Sequence, residues 1–321
     1  RPASCFMIHV ISSPGNQAYN LRRHEQRRDM EISLEISNLA PDPREEWRRL
    51  LRFVGWSESD GLAASRSVEA LFRRGPELVA NTYDYLRSVP ETAAILGWEQ
   101  GVDEAHLEER RRFFTIWLAR TLGLDTSDDF ADYLFRAGKY HAGHGPRRIH
   151  TPSEYVVGSI GLVQASFAGT MQEANLPADA IAGATAAWSK YLAAQLNQML
   201  LGYRVARDLA RGEWPIRCSV FGRLRPLVGA NEVEVRAGSG AIVADILRKF
   251  FNNYPLARYE SLDRVWRSEE KAGSLWMEVS PIYVPRAGWR VLLNGRDLDY
   301  AGGFTASVHE GDEVALFPPG R

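Results

Sequence analysis

The segment that decides the fold is FADYLFRAGKYH, residues 130–141. Phe130, Leu134, Ala137 and His141 recur at spacings of four, three and four residues, so they share one face of a helix. The imidazole of His141 therefore takes the next position of an apolar helical stripe. A histidine in such a position is most often a packed, hydrogen-bonded core residue, but it can also hold an iron. Spacing alone leaves both interpretations open.

The sequence around this segment has helical periodicity from Pro43 to about Arg211. Residues 104–122 and 179–210 carry apolar side chains at helical spacing, and the second stretch is long enough to form the backbone of an all-α domain. Prolines separate the helical stretches from one another. The pattern predicts an all-α domain at residues 43–212.

The pattern changes after Gly212. Alternation of apolar and polar residues, together with β-branched side chains, predicts strands, and one further amphipathic stretch predicts a helix. The pair Asn294-Gly295 predicts a tight hairpin turn. These segments indicate a small α+β domain at residues 216–321, with the boundary inside residues 211–215. The strands are predicted at residues 216–221, 232–236, 289–293 and 313–317, and the helix at 241–252.

The bulk composition excludes several classes of protein. A chain of 321 residues has room for two cores, and its net charge of −1 provides no basic field for nucleic acid or an anionic membrane. The longest apolar run, residues 156–169, contains polar residues and is too short to cross a bilayer core of ~30 Å. Cys5 and Cys218 form no CxxC pair. We therefore expect a cytoplasmic protein without a transmembrane helix.

The first residues fit neither domain. The apolar stretch at residues 5–12 is short and interrupted by His9, which makes a poor secretion signal. Met30 is a second candidate start and precedes a cleaner segment. We expect residues 1–42 to be a flexible N-terminal extension.

Three motifs carry a resemblance to a known family. ELVANTYDYLRSVPET (77–92), RRFFTIW (111–117) and RAGKYH (136–141) resemble, in order and separation, the globin domain of protoglobins and globin-coupled sensors. The resemblance covers the chain from about Pro43 to Arg211. It implies a haem b cofactor whose iron is held by His141 as the proximal ligand.

The resemblance also implies a distal pocket. Tyr83 would line it and donate to a bound ligand, and Phe114, or else Phe113, would close it. Together with Trp117 these rings would exclude water. Thr82 departs from the family pattern, since protoglobins often have tryptophan there.

Some neighbouring residues leave alternatives open. His144 and His150 lie in an unusual stretch after His141 and compete with it as iron ligands. The haem propionates would pair with cationic side chains near the helix end, although charged helix ends are usually solvated. The candidates are Lys139, Arg147 and Arg148. No distal histidine or arginine constellation is visible for peroxide or nitric oxide chemistry, so we expect a protein that is not an enzyme.

The second domain resembles another family. FGRLRPLVG (221–229), VLLNGRD (291–297) and GDEVALFPP (311–319) resemble the ubiquitin-like β-grasp sulfur carriers, namely the small subunit of molybdopterin synthase and ThiS, with an insertion at about residues 265–289. Those carriers end in two glycines after the prolines, whereas this sequence ends in Pro-Gly-Arg. We therefore interpret the domain as a module that binds a protein partner.

The two resemblances together predict a multidomain protein, with an all-α globin-like domain followed by a β-grasp domain. The function we favour is a haem protein that binds a diatomic gas, O₂ or else CO or NO, with the β-grasp domain as output. Related sensors dimerise through their long terminal helices, which implies a homodimer. Two alternatives remain: a sulfur carrier regulated by a globin domain, and a haemless globin-like scaffold.

Overall fold

The helical domain forms the first part of the computed structural model, which describes residues 33–270, 273 and 275–319. The predicted flexibility of residues 1–32 lies outside the described residues. Eight helices, α1 to α8, are seen before the first strand of the described chain. They are α1 Pro43–Phe53, α2 Glu58–Arg73, α3 Gly75–Ser88, α4 Pro90–Leu96, α5 Glu104–Leu122, α6 Asp128–His141, α7 Ser153–Glu173 and α8 Ala178–Leu209.

The second domain is a twisted sheet packed against helices. Its elements are β1 Trp214–Val220, α9 Leu224–Val228, β2 Glu232–Ala237, α10 Val243–Asn253, α11 Pro255–Ser261, β3 Leu262–Glu270, β4 Met277–Pro285, β5 Arg290–Leu293, β6 Arg296–Asp297 and β7 Glu313–Phe317. The five-stranded sheet has the order β2-β1-β7-β5-β6, in which only β1 and β7 are parallel. At Asn294 and Gly295, both with positive φ, the chain turns from β5 into β6, as the sequence predicts.

The strands β3 and β4 form a separate two-stranded sheet in the region where the sequence indicated an insertion. Trp266 is paired with Pro281, and Ser268 with Val279, so Trp266 and Val279 lie on one face of this hairpin. Both side chains are largely exposed, at 62% and 59%. The hairpin therefore presents an apolar face outside the core of the second domain.

The helices α6 and α8 cross at unusually short distance. A Cβ atom on Gly138 would overlap the backbone carbonyl of Met199, and one on Gly202 would overlap the carbonyl of Phe135. Only glycine lets two backbones come this close. This crossing fixes the last turn of α6, which ends at His141.

Residues 33–42 do not form a free extension. The backbones of Ile36 and Tyr283 exchange two hydrogen bonds of 2.9 Å, so this segment pairs with β4. The side chain of Ile36 is 1% exposed and belongs to the core of the second domain. The predicted N-terminal extension is therefore wrong for residues 33–42, because the apolar side chain of Ile36 has a buried place in the neighbouring core.

The two domains share a polar interface. Arg258 of α11 donates to the carbonyl oxygen of Ala40 at 2.9 Å and forms an ion pair with Asp42 at 3.2 Å. Both side chains of this pair are buried, at 4% and 9% exposure. Lys139 of α6 donates from Nζ to the carbonyl oxygen of Asn253 at 2.9 Å. The first domain is thus tied to the second through α6 as well as through the start of α1.

Candidate functional site

His141 is the last residue of α6. Ser127 caps the helix by accepting from the backbone N–H of Phe130, and Phe130 and Leu134 are fully buried on the predicted apolar stripe. The close approach of α6 to α8 then fixes the position of the final turn of α6 relative to α8. Local helix signals and one glycine crossing together leave the imidazole half-buried, with its Nδ1 atom away from solvent.

The imidazole of His141 is neutral at pH 7. Burial, with a further contribution from the positive charge of Arg110, lowers the pKa of His141 to about 4. Its Nδ1 atom is buried and has no hydrogen bond partner among the described residues. A neutral imidazole is the form that ligates a metal, and a ligating histidine usually donates from its second nitrogen. His141 has the first of these features, whereas its Nδ1 has no acceptor.

Tyr83 lies on α3 and faces α5. Its hydroxyl donates to the carbonyl oxygen of Arg110 at 2.9 Å. Burial raises the pKa of Tyr83 to about 12, so the phenol stays protonated. Its ring packs edge-on against Phe114, with centroids 6.2 Å apart, and against Trp98 at 6.4 Å. The hydroxyl therefore lies at a junction of aromatic rings and the α5 backbone.

Phe114 and Trp117 continue this aromatic group along α5. Their rings are stacked with centroids 5.4 Å apart, and Trp117 donates from Nε1 to Gln195 Oε1 at 2.8 Å. Phe113 is placed differently, because its side chain is 40% exposed and lines a surface cleft with Ile116. The structure thus brings Tyr83, Phe114 and Trp117 together and leaves Phe113 on the outer side of α5.

Arg110 is a site residue that the sequence analysis missed. It lies one helical turn before Phe114, and its positive charge acts on both Tyr83 and His141. Nε of Arg110 donates to His106 Nε2 at 3.0 Å. The structure therefore places near Tyr83 an arginine that the sequence analysis did not single out. The spacing of four from Phe114 was the available signal, but a charged residue on a helix is usually solvated.

The remaining histidines have other surroundings. His150 is hydrogen bonded to the hydroxyl of Tyr203 at 2.7 Å, and its backbone pairs with Ala142. Burial lowers the pKa of His144 as well. Both stay candidates as competing ligands, but only His150 already has a hydrogen bond partner for its ring among the described residues.

The cations proposed for propionates are partly engaged elsewhere. Arg147 pairs with Glu109 and with Asp103. The ammonium of Lys139 is held at the domain interface and lies 4.8 Å from the centre of the Tyr254 ring. Their present partners make both residues less available to a cofactor.

The residues at and after the end of β7 pack against the loop that follows β1. The rings of Phe221 and Phe317 are stacked with centroids 4.1 Å apart. A Cβ atom on Gly222 would lie 2.7 Å from Pro318. The residues just after β7 therefore follow the surface of the domain, and Gly222 is needed for that approach.

Tyr83→Phe is expected to lower the free energy of unfolding by about 1 kcal/mol, because the phenol loses its hydrogen bond to the Arg110 carbonyl. Chemical unfolding followed by far-UV circular dichroism measures this change. Tyr85 lies on the same helix and is 51% exposed, so Tyr85→Phe is the matched control and should change stability by less than about 0.5 kcal/mol. Equal losses in the two variants would contradict the role given to the Tyr83 hydroxyl.

The geometry defines a class of protein, namely a globin-like helical domain with a half-buried histidine and an aromatic group, joined to a ubiquitin-like β-grasp domain. The chain belongs to the protoglobin family, whose sequence profile matches residues 44–207, more than half of the chain. The profile of the ThiS family matches residues 218–320.

Solved structures similar to the chain fall into the same two groups. The globin domain of the Geobacter sulfurreducens globin-coupled sensor is 21% identical, covering 49% of this chain and 97% of its own, with a TM-score of 0.40. Small archaeal modifier protein 1 from Methanosarcina acetivorans is 20% identical, covering 33% of this chain and 93% of its own, with a TM-score of 0.25. A protein from Pyrococcus furiosus described as a putative molybdopterin converting factor, subunit 1, is 20% identical, covering 33% of this chain and 99% of its own, with a TM-score of 0.24. No curated protein matches the chain significantly.

No cluster of three or more histidine, cysteine, aspartate or glutamate side chains within residues 33–270, 273 and 275–319 is arranged to hold a metal ion. Within the same residues, no helix combines the length and apolar character needed to cross a membrane.

Proposed function

We propose that the helical domain binds haem b through Nε2 of His141. The observation that carries this proposal is the half-buried imidazole at the end of α6, whose Nδ1 atom is buried and whose pKa is lowered to about 4 by burial. Membership of the protoglobin family supports it, because haem binding is general in that family. The neutral imidazole fits the cofactor, whereas the missing acceptor for Nδ1 does not.

Haem held by His141 would supply an iron that takes a diatomic gas: O₂ in our proposal, with CO and NO as alternatives. His141 would hold and orient the group, Phe114 and Trp117 would exclude water, and the Tyr83 hydroxyl would offer a dipole to the gas. To act on the gas the hydroxyl must turn away from the Arg110 carbonyl, to which it donates in the structure.

The second domain is proposed as the output of a sensor that is not itself an enzyme. The ThiS-family fold supports an interaction role, and the exposed apolar face of the β3–β4 hairpin offers a surface for a protein partner. We further propose that the protein works as a homodimer. Analytical ultracentrifugation with and without haem would test the oligomeric state directly.

His141→Ala is expected to abolish the Soret band of the haem-supplied protein, because the iron loses its axial ligand. The absorption spectrum is recorded for the ferric protein, after reduction, and under CO. The wild-type band should shift on adding CO. His144→Ala and His150→Ala are the matched controls and should keep the wild-type spectrum.

Two results would count against the proposal in different ways. Loss of the band in His144→Ala or His150→Ala, with His141→Ala unaffected, would move the axial ligand to that residue. No Soret band in wild-type protein with a normal helical circular dichroism spectrum would leave a haemless scaffold.

A further inference from the structure

The apolar face of the β3–β4 hairpin continues the core side of the second domain. Ile36 and Tyr283 are direct partners in an antiparallel bridge, so their side chains lie on the same side, and both pack in the core of this domain. Val279 follows Tyr283 at an even spacing along β4, and Trp266 is paired with Pro281, so these residues lie on that side too. The side that the core covers at the base of the hairpin is thus uncovered further out.

Three large apolar side chains make up the uncovered part of this face. Trp266, Met277 and Val279 are 62%, 57% and 59% exposed. A contiguous apolar patch of a few hundred Å² marks an interaction surface on a soluble protein. A stable interface buries about 800 Å² on each partner, which is more than these three side chains present. The face is therefore expected to pair reversibly, in a way that depends on protein concentration.

The two ends of this face carry opposite charges. Arg264 lies near the start of β3 and Glu270 is its last residue. Their spacing of six residues puts both on the side of Trp266, with their Cα atoms ~20 Å apart. The guanidinium of Arg264 lies over the ring of Trp266, 5.7 Å from its centre, as expected for residues on one side of a strand. Glu270 is exposed and has no ion pair among the described residues.

The present partner of Arg264 leaves room for a second carboxylate. Arg264 forms an ion pair with Glu45 at 2.9 Å, and the two side chains are 42% and 53% exposed. An ion pair with this exposure contributes little to stability. A guanidinium has five N–H donors, so Arg264 can keep Glu45 and accept another carboxylate beside it.

We propose that this face docks a second copy of the chain, in antiparallel orientation about a twofold axis. The face is self-complementary in that orientation, because Arg264 of each copy lies opposite Glu270 of the other. Trp266 and Val279 then pack at the centre, as two sheets pack face to face. The inference rests on the homodimer of the proposed function and deepens it by naming the surface through which the copies meet.

The first test measures the dissociation constant of the full-length dimer by sedimentation velocity over a series of protein concentrations. Trp266→Thr is expected to weaken dimerisation at least tenfold, because a tryptophan at the centre of an interface carries much of its binding energy. Val265→Thr is the matched control, since Val265 is 43% exposed on the opposite side of β3, and should change the constant less than twofold. If Trp266→Thr fails to fold, Val279→Thr carries the same comparison.

The second test exchanges the charges at the two ends of the face. Arg264→Glu makes both ends negative and Glu270→Arg makes both positive, so each variant alone should dimerise about fivefold more weakly than wild type. An equimolar mixture of the two variants should dimerise with nearly wild-type affinity, because every negative end then meets a positive one. Low salt is used, since exposed charges are screened at high ionic strength.

Two results would overturn the inference, and they differ for the proposed function. A dimer whose dissociation constant is the same in Trp266→Thr and in the charge variants would leave the proposed homodimer intact but move it to another surface. A wild-type chain that stays monomeric at every concentration would refute the homodimer itself and leave the face to a protein of another sequence. The Soret band reports on haem binding separately in both cases.

Discussion

Gly138→Ala is expected to lower the free energy of unfolding of the helical domain by about 3 kcal/mol, which is at the upper end for overpacking a well-packed interior. The added methyl group would overlap the backbone carbonyl of Met199, and a backbone cannot rotate away as the end of a side chain can. The helices α6 and α8 must therefore separate. Since His141 lies three residues further along α6, we also expect weaker haem retention.

Gly161→Ala is the matched control for this substitution. Gly161 lies in α7, and a Cβ atom there would meet nothing within 4 Å. The change should therefore stabilise the domain by up to about 1 kcal/mol, because alanine has the higher helix propensity. Urea unfolding followed by far-UV circular dichroism compares the two variants. A Gly138→Ala protein as stable as wild type would show that the crossing of α6 and α8 is looser than described.

Arg258→Met is expected to cost about 3–5 kcal/mol, because it leaves the Asp42 carboxylate buried at the domain interface without its cation. The carbonyl of Ala40 loses a donor at the same time. The control is Arg264→Met, whose partner Glu45 lies at the same interface but is 53% exposed. That exposed pair should contribute no more than about 1 kcal/mol. Thermal unfolding of both variants gives the comparison.

The same ion pair predicts a dependence of stability on pH. Burial pushes the pKa of Asp42 up, but the hydrogen bond from Tyr259, two backbone hydrogen bonds and the charge of Arg258 together hold it below the ordinary value of 3.8. A carboxyl with a lowered pKa contributes stability above its unfolded value and loses it as the pH falls through the folded one. Stability should therefore decrease below pH 3.8, and less steeply in Asp42→Asn. Parallel acid unfolding curves for the two proteins would contradict this assignment.

The elements that the sequence predicts well are those whose residues interact locally. The stripe that includes Phe130 and Leu134 is buried as predicted, and Asn294-Gly295 forms the turn. Periodicity and turn chemistry depend on neighbouring residues along the chain, so they can be read before the fold is known.

The features that the sequence analysis missed depend on contacts between distant residues. Ile36 is buried because β4 lies beside it, and β4 is more than two hundred residues away. Arg110 would be assigned to a solvated helix face from the sequence, and only the fold shows that its carbonyl oxygen accepts from Tyr83 and that its Nε donates to the buried His106. The sequence does not specify which face of α5 turns towards α3 and α6, so a charged residue there is assigned to solvent by default.

Lys139 lies two residues before the proposed iron ligand and is held by the backbone of Asn253 and the ring of Tyr254. Effects of one binding event on another are equal in both directions in free energy. If gas binding to haem held by His141 alters the surface around Asn253, a protein bound to that surface must alter gas affinity by the same factor. A gas affinity measured on the purified chain would then be the value without a partner, and the working value would be set by the partner's concentration.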